Sequence, residues 1–329
     1  MSLIQDNMDL YPIKFKPILK ERLWGGTKLK KVLGKPIVSE ITGESWEISG
    51  VEGDISEVSN GPLEGKTLQE LIAIEGERLL GQSVVERFGH DFPILIKFID
   101  AKQDLSIQLH PNDALAKKRH NSFGKTEMWY IMDADPGAKL IVGFNRDVDK
   151  KEYIQSLEDN TLTDLLHYET VAEGDTFFIN TGKIHAIGAG VLLAEIQQTS
   201  DITYRVFDFH RKDKDGNYRE LHTELALDAI DYAKKDDFKV EYEREQDKVN
   251  TMVDCPYFRT KFLKLTRNLH QDVVDRDSFT IYMCVDGSAE ITNDFGTVKV
   301  KKGETVLVAA SSKTIDIVTA NAKLLEVTI

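Results

Sequence analysis

Apolar and polar positions alternate in short runs along much of this chain, and period-two runs predict β-strands. In LSIQLH, Ser106, Gln108 and His110 share one face, while Ile107 and Leu109 share the other. In GKTEMWYIM, Lys125, Glu127 and Trp129 fall together, opposite Met128 and Tyr130. SWEISG at 45–50 alternates in the same way. Strands are predicted at 126–133 and 138–144, joined by a turn at Asp135-Pro136-Gly137. FPILIKFIDA, 92–101, is apolar enough for burial on both faces, and Lys97 interrupts it. A buried lysine is costly unless it meets an anion or lines a cavity. The cavity reading is favoured here over an edge lysine reaching water.

Helical periodicity occurs in fewer places. Leu68, Leu71, Ile72, Leu79 and Leu80 recur at spacings of three, four or seven and predict helix across 67–90. A short helix at 112–121 follows Pro111, with Asn112 as N-cap. Two short helices are expected in 148–167, ending at a structural or exposed His167. Another is expected over 219–233, with Leu221, Leu225, Ala229 and Ile230 on one face. Pro12, Pro17 and Pro36 keep residues 11–50 extended. Beside Gly25 and Gly26, Trp24 suits a cavity rim or the core.

The polar faces carry candidate chemistry. The amide of Gln108, the imidazole of His110 and the carboxylate of Glu127 can converge in one cavity, which is ligand chemistry for a borderline divalent metal such as zinc. His185 is a candidate for one more ligand. It follows a strand opened by Gly174 and a turn at Thr181-Gly182. That stretch echoes near the C-terminus in VKKGETVLVAASSKTIDI: Gly174 aligns with Gly303, Thr176 with Thr305, and His185 with Thr314. Placing Tyr130 against Tyr282 sets Glu127 opposite Phe279, so the second copy keeps its strands and loses its ligands. Two domains are expected. Residues 1–240 form a metal-binding catalytic domain with helical insertions. Residues 241–329 form a degenerate β domain without metal ligands. The 219–233 helix joins them, before the charged run KVEYEREQDK.

Composition narrows the function. A length of 329 residues fits two domains, and 41% hydrophobic content is ample for packed cores. A net charge of −13 argues against nucleic-acid binding, since no basic run is long enough to track a phosphate backbone. It also means that an anionic substrate needs local cations. Cys255 and Cys284 are the only cysteines, so a reducing compartment is expected, and the cytoplasm is the simplest one. The start MSLIQDNMDLYPIKF lacks a signal-peptide pattern, and no 18-residue apolar run offers a membrane span.

Residues 174–185 resemble the second conserved motif of the cupin superfamily: glycine, five residues, proline, one residue, glycine, two residues, histidine. Gly174, Gly182 and His185 keep that register, with Asn180 where proline is usual. More narrowly, PILIKFIDA, LSIQLHPND, GKTEMWY, GKIHAIGAG and SDITYRVFDF with RELH downstream resemble the type I mannose-6-phosphate isomerases of the shorter bacterial form. The resemblance covers most of residues 10–235.

That resemblance implies a mainly β fold of two cupin-like β-barrel (jelly-roll) domains with inserted short helices. It implies a zinc-dependent aldose-ketose isomerase that interconverts mannose 6-phosphate and fructose 6-phosphate through a cis-enediol. One Zn2+ per chain would be held at Gln108, His110, Glu127 and His185. Arg205 matches an active-site arginine, and Lys97 and Lys125 match lysines lining the same pocket. Ser106, Trp24, Lys97 and Arg205 are expected to touch substrate. Catalytic roles fall to Arg205, Lys125, Lys97 and Glu195. Glu195, on the face of Leu193 and Gln197, is either the proton-transfer base, a partner that orients Arg205, or a structural salt bridge. Some longer members carry a histidine just before the pocket lysine; Gly124 stands there here, so no such histidine can act.

His90, His120, His210, His222 and His270 read as exposed or hydrogen-bonded. DKDGN at 213–217 reads as a surface turn and not a calcium loop, since it lacks the fifth-position ligand and the distant glutamate. The expected partner is a small phosphosugar, with no nucleic acid and no membrane, and the chain is expected to be a monomer or weak homodimer. Two other readings stay open: another metal-cupin enzyme (an oxygenase or other phosphosugar isomerase), and a non-catalytic sugar-phosphate-binding cupin.

Overall fold

A computed structural model of the chain describes residues 8–213 and 215–329. The fold is mainly β, with two compact units. One comprises Leu19–Trp46 and Leu95–Glu241. The other comprises the described residues up to Ile18, together with Glu47–Ile94 and Tyr242–Ile329. One division between the units follows Glu241, and residues up to Ile18 and 47–94 belong with the C-terminal strands. Backbone pairing does this: Ile13 and Leu307 exchange two hydrogen bonds of 2.8 Å. Asp277 also accepts from the amides of Gln82 and Ser83 at 2.6 and 2.8 Å.

The unit containing the candidate residues is built from eleven strands. They are β1 (Ile18–Gly26), β2 (Thr42–Ile48), β3 (Ile94–Ala101), β4 (Ile107–Leu109), β5 (Glu127–Ala134), β6 (Lys139–Phe144), β7 (Leu166–Thr170), β8 (Thr176–Ile179), β9 (His185–Ile187), β10 (Val191–Gln198) and β11 (Tyr204–Phe207). A six-stranded sheet runs β1-β2-β3-β10-β5-β8, and a five-stranded sheet runs β11-β4-β9-β6-β7. Trp129 and Ile131 of β5 pack with Leu140 and Val142 of β6 and Ile187 of β9, so the sheets share a core. On the other face of the five-stranded sheet, Ile107 and Leu109 pack with Tyr153 and Ala226 from the helices Lys150–Glu158 and Thr223–Leu227. The apolar half of the 106–110 alternation therefore faces helices, and the polar half faces the space between the sheets.

The C-terminal strands are β12 (Val249–Asp254), β13 (Arg259–Leu265), β14 (Leu269–Asp272), β15 (Thr280–Asn293), β16 (Gly296–Lys301), β17 (Thr305–Val308) and β18 (Thr314–Thr328). They form one sheet in which β15 pairs with β16, β17 and β18. The architecture is cupin-like, although the sheets stay open and do not close into the expected barrels.

The internal repeat is real in hydrogen bonding. Gly174 N donates to Ile131 O at 2.8 Å, and Ile131 N to Asp175 O at 2.9 Å. Gly303 N donates to Cys284 O at 2.8 Å, and Cys284 N to Glu304 O at 2.9 Å. Both glycines have positive φ, 87° and 85°. Ile131 thus corresponds to Cys284, one residue away from the tyrosine-based alignment, and Glu127 corresponds to Thr280 instead of Phe279. The backbone ladder sets this register, and a one-residue slip would turn every side chain to the other face.

Three helical expectations change. The 67–90 segment breaks into Leu68–Glu75, Glu77–Leu80 and Gln82–Phe88, interrupted at Gly76 and Gly81. Gly81 has φ 101°, and a Cβ there would meet Asp277 O at 2.6 Å. Within 148–167 the second helix is the short 3₁₀ turn Leu162–Leu165, after which His167 lies on β7. Over 219–233 only Thr223–Leu227 is helical. The flanking backbone bonds elsewhere: His222 N donates to Arg205 O at 2.7 Å, and Asp231 N to Gly182 O at 2.9 Å.

Candidate active site

Three strands place a polar row on the inner face of the five-stranded sheet. Gln108 of β4 pairs with His185 of β9 on one side and with Arg205 of β11 on the other. Directly opposed residues project to the same face. His110 lies two residues beyond Gln108, so it stays on that face. From the other sheet, β5 presents Glu127 beside Gln197 of β10. The row borders a cavity of about 430 Å³ lined by Trp24, Lys97, Ser106, Gln108, Lys125, Trp129, His185, Glu195 and Arg205, among others.

His110, Glu127 and His185 are buried, and their ligand atoms all lie within 4.8 Å of one another. His110 Nε2 is 3.6 Å from Glu127 Oε2, and His185 Nε2 is 3.5 Å from Glu127 Oε1. Two ligands about 2.1 Å from a tetrahedral ion stand about 3.4 Å apart, so the spacing suits zinc. The second nitrogens are occupied: His110 Nδ1 meets Ile202 O at 2.9 Å and His185 Nδ1 meets Lys183 O at 2.8 Å. Such bonds turn each Nε2 lone pair inward. His185 Nε2 and Glu127 Oε1 are buried without a hydrogen-bond partner, which is the state of atoms prepared for a cation. The residues present fit a divalent metal.

Electrostatics agrees with ligand protonation states. Burial, reinforced by Lys125, brings the His110 imidazolium pKa down to about 4, and burial lowers that of His185, so both rings are neutral. Burial opposes ionisation of Glu127, but Lys125 and then His110 outweigh it and hold the carboxyl well below its usual range. Lys125 Nζ lies 3.0 Å from Glu127 Oε2 and 3.2 Å from His110 Nε2. Burial works to lower the pKa of this lysine, but Glu127 and then Glu195 outweigh it and raise the pKa above the ordinary value.

Lys97 is buried, as the cavity reading expects, and its Nζ donates to Glu195 Oε1 at 3.0 Å. Trp129 Nε1 donates to Glu195 Oε2 at 2.9 Å. Glu195 is thus held by Lys97 and Trp129 and not set against Arg205. Arg205 Nε instead donates to Ser106 Oγ at 3.2 Å, and Ser106 Oγ lies 3.5 Å from Gln108 Oε1. Trp24 serves both of its readings, since it lines the cavity and belongs to the core.

Arg22, Glu44, Asp201 and Arg219 also line the cavity and escaped sequence reading. A signal existed for two of them: Arg22 and Glu44 stand two residues before Trp24 and Trp46, on the same strand faces. Glu44 Oε2 accepts from Arg22 Nη2 and from Trp46 Nε1, both at 2.8 Å. Burial works against its ionisation, but Lys97 and then Arg22 prevail and lower its pKa.

Comparison with known proteins places this geometry. Residues 13–160 match the catalytic domain of phosphomannose isomerase type I, and residues 248–329 match the mannose-6-phosphate isomerase cupin domain. Mannose-6-phosphate isomerase ManA of Bacillus subtilis (strain 168) is 36% identical over 303 residues, which is 91% of this chain and 93% of that protein. The chain belongs to the type I phosphomannose isomerase family. A mannose-6-phosphate isomerase of Streptococcus mutans is 40% identical over 68% of this chain and 69% of its own length. The crystal structure of the Bacillus subtilis mannose 6-phosphate isomerase superposes with a TM-score of 0.87 at 33% identity, covering 97% of this chain and 99% of that one.

Against this family background, Gly124 has a local reason. A Cβ there would stand 2.8 Å from Asp113 N and 3.0 Å from Asn112 C, so a histidine does not fit. Other histidines bond elsewhere: His120 Nε2 to Tyr204 OH at 2.9 Å, His167 Nε2 to Glu169 at 2.9 Å, and His270 Nδ1 to Asp316 at 2.7 Å. His222 Nδ1 accepts from Arg205 N at 3.1 Å and so braces Arg205 at the cavity edge. In 213–217, where Lys214 lies outside the described residues, Asp213 Oδ1 accepts from the amides of Asp215 and Asn217 at 2.8 and 2.9 Å, as a surface turn requires. Among the described residues no helix is long and apolar enough to cross a membrane.

Proposed function

We propose that this chain interconverts mannose 6-phosphate and fructose 6-phosphate through a cis-enediol, using one zinc ion held by Gln108, His110, Glu127 and His185. The observation that carries the reading is the buried His110–Glu127–His185 cluster, in which His185 Nε2 and Glu127 Oε1 have no hydrogen-bond partner, in a cavity also lined by Arg205. A zinc ion bound there would supply Lewis-acid stabilisation of the oxygens at C1 and C2.

The side chains divide the remaining work. Isomerisation moves one carbon-bound proton between C2 and C1. We place that transfer at the Glu195 carboxylate, fixed in the cavity wall by Lys97 and Trp129. Lys97 and Lys125 offset the negative charge of substrate and enediolate. Arg205 makes no ion pair with a carboxylate among the described residues, and beyond its bonds from Nε to Ser106 and from Nη1 to Glu220 O its Nη2 is left for an anionic oxygen. Ser106, hydrogen-bonded to Arg205, and Trp24 complete the substrate-facing wall. The reading includes a cytoplasmic protein of small-molecule metabolism, a monomer or weak homodimer, with no nucleic-acid partner.

The test is formation of fructose 6-phosphate from mannose 6-phosphate before chelation, after it, and after zinc is restored. Activity lost to chelator and regained with zinc is the expected result. Full activity in protein shown to be metal-free would overturn the metal-dependent reading. Absence of activity in zinc-loaded protein would overturn the assigned reaction.

A further inference from the structure

The cations of the cavity are not equally neutralised. Arg22 is paired with Glu44, Lys97 with Glu195 and Lys125 with Glu127. Around Arg205 the balance differs. Arg205, Arg211 and Arg219 cluster near the carboxylate of Asp208, which Arg211 and Arg219 both grip, while the exposed Glu220 acts on Arg205 only at longer range. Burial and then Arg219 push the Arg205 guanidinium below the ordinary arginine value, with Arg211 adding to the effect. Arg205 at this end of the cavity makes no ion pair of its own among the described residues, unlike Arg22, Lys97 and Lys125.

The local backbone is arranged to hold it. Asp208 follows β11 and begins a tight turn closed by Arg211 N donating to Asp208 O at 3.0 Å. The two central residues, Phe209 and His210, both have positive φ, 52° and 54°. Bulky residues rarely adopt that region, and such strain persists where surrounding structure enforces it, often at functional sites. A bridge between Lys212 and Tyr218 then returns the chain. It sets Arg219 Nε 2.7 Å from Asp208 Oδ2, with Arg219 Nη2 on Oδ1 in a two-point clasp. Arg205 spends Nε on Ser106 and Nη1 on Glu220 O. Arg205 Nη2 and Arg219 Nη1 have no hydrogen bond among the described residues.

The geometry points to a two-arginine phosphate subsite: Arg219 joins Arg205 in binding the substrate's phosphate, and Asp208 is the positioning residue that aims Arg219. Two planar forks suit a tetrahedral dianion, which offers several oxygens to charge-assisted donors. This assignment rests on the reading above that the substrate is a phosphosugar, and it names a residue outside the metal centre that selects phosphorylated from neutral sugar.

Metal-replete full-length protein and its Arg219→Gln, Arg219→Lys and Asp208→Asn variants would be titrated with inorganic phosphate by calorimetry. KM and kcat for mannose 6-phosphate would be measured in parallel. Arg219→Gln is expected to weaken phosphate binding and raise KM, each about ten- to a hundredfold, with kcat within about threefold. Arg219→Lys should recover part of the phosphate affinity, since an ammonium keeps the charge but not the fork. Asp208→Asn should shift KM in the same direction by less. Unchanged phosphate affinity in Arg219→Gln, or a fall in kcat at constant KM, would overturn the subsite. If Arg219→Gln does not fold, wild-type phosphate affinity and KM in both other variants would overturn it instead. A wild type that binds phosphate through Arg219 but does not isomerise mannose 6-phosphate would sink the isomerase reading alone and leave the subsite standing.

Discussion

Lys97 Nζ stands 3.0 Å from Glu195 Oε1, and both side chains are almost wholly shielded from water, at 6% and 4% exposure. The pair lies in the wall of the cavity, and Trp129 fixes the other carboxylate oxygen. Removing one member leaves a buried charge without its hydrogen-bonded counterion, at a cost of about 3–5 kcal/mol. Lys97→Met is therefore expected to lower unfolding free energy by that order and to reduce kcat/KM sharply. The double variant Lys97→Met/Glu195→Leu should be more stable than the sum of the single losses allows. Chemical denaturation of the four proteins measures the coupling, and strictly additive losses would contradict the pair.

Glu127 and His185 present buried, unpartnered atoms to one another across 3.5 Å. A ligand bound only by the folded state raises its stability by mass action. Zinc should therefore raise the melting temperature of chelator-treated wild type, and should raise it far less in His185→Ala or Glu127→Gln. Differential scanning calorimetry with metal analysis provides the comparison. Equal zinc-induced shifts in wild type and variants would exclude this cluster as the metal site.

Gly124 sits against backbone, with room for no side chain: the nearest atoms to a Cβ would be Asp113 N and Asp113 Oδ1, at 2.8 and 2.9 Å. Gly124→His is expected to cost about 1–3 kcal/mol of stability through overpacking. It should bring no gain in kcat. A stable, more active variant, read by melting temperature and steady-state kinetics, would contradict the packing.

Asp208 predicts a pH dependence. Burial opposes its ionisation, but hydrogen bonds from Arg219 and Arg211 prevail, so its folded-state pKa lies below the ordinary aspartate range. A depressed pKa contributes stability above the unfolded-state value, about 3.9, and loses it as pH falls through the lower folded-state value. Wild type should therefore be more stable than Asp208→Asn at neutral pH, with the two converging in acid below the ordinary aspartate range. Denaturation curves from pH 7 downward test the sign; a gap that widens in acid would refute it.

Much of this protein was legible in its sequence because alternation is a local property. Ser106, Gln108 and His110 had to share a face whatever the sheet did, and the same held for Lys125, Glu127 and Trp129. The glycine-to-histidine spacing of Gly174, Gly182 and His185 likewise survives folding, since a positive-φ turn needs its glycine in place. The N-cap at Asn112 was readable for the same reason: its side chain accepts from Leu115 N three residues on. The helix predicted over 219–233 failed because its backbone groups found partners far away in sequence, at Arg205 and Gly182.

The sequence by itself therefore determined which side chains share a face, where the turns fall, and which residue types can serve a metal. Tertiary structure decided which faces meet. It set Glu195 on Lys97 instead of Arg205, moved the internal repeat by one residue, and gathered Arg219 and Asp208 beside Arg205. The physical reason is range. Side-chain direction along a strand depends on neighbours one or two residues away, whereas sheet register and ion pairing are settled among groups tens of residues apart, by backbone hydrogen bonds and buried charges that must all find partners together.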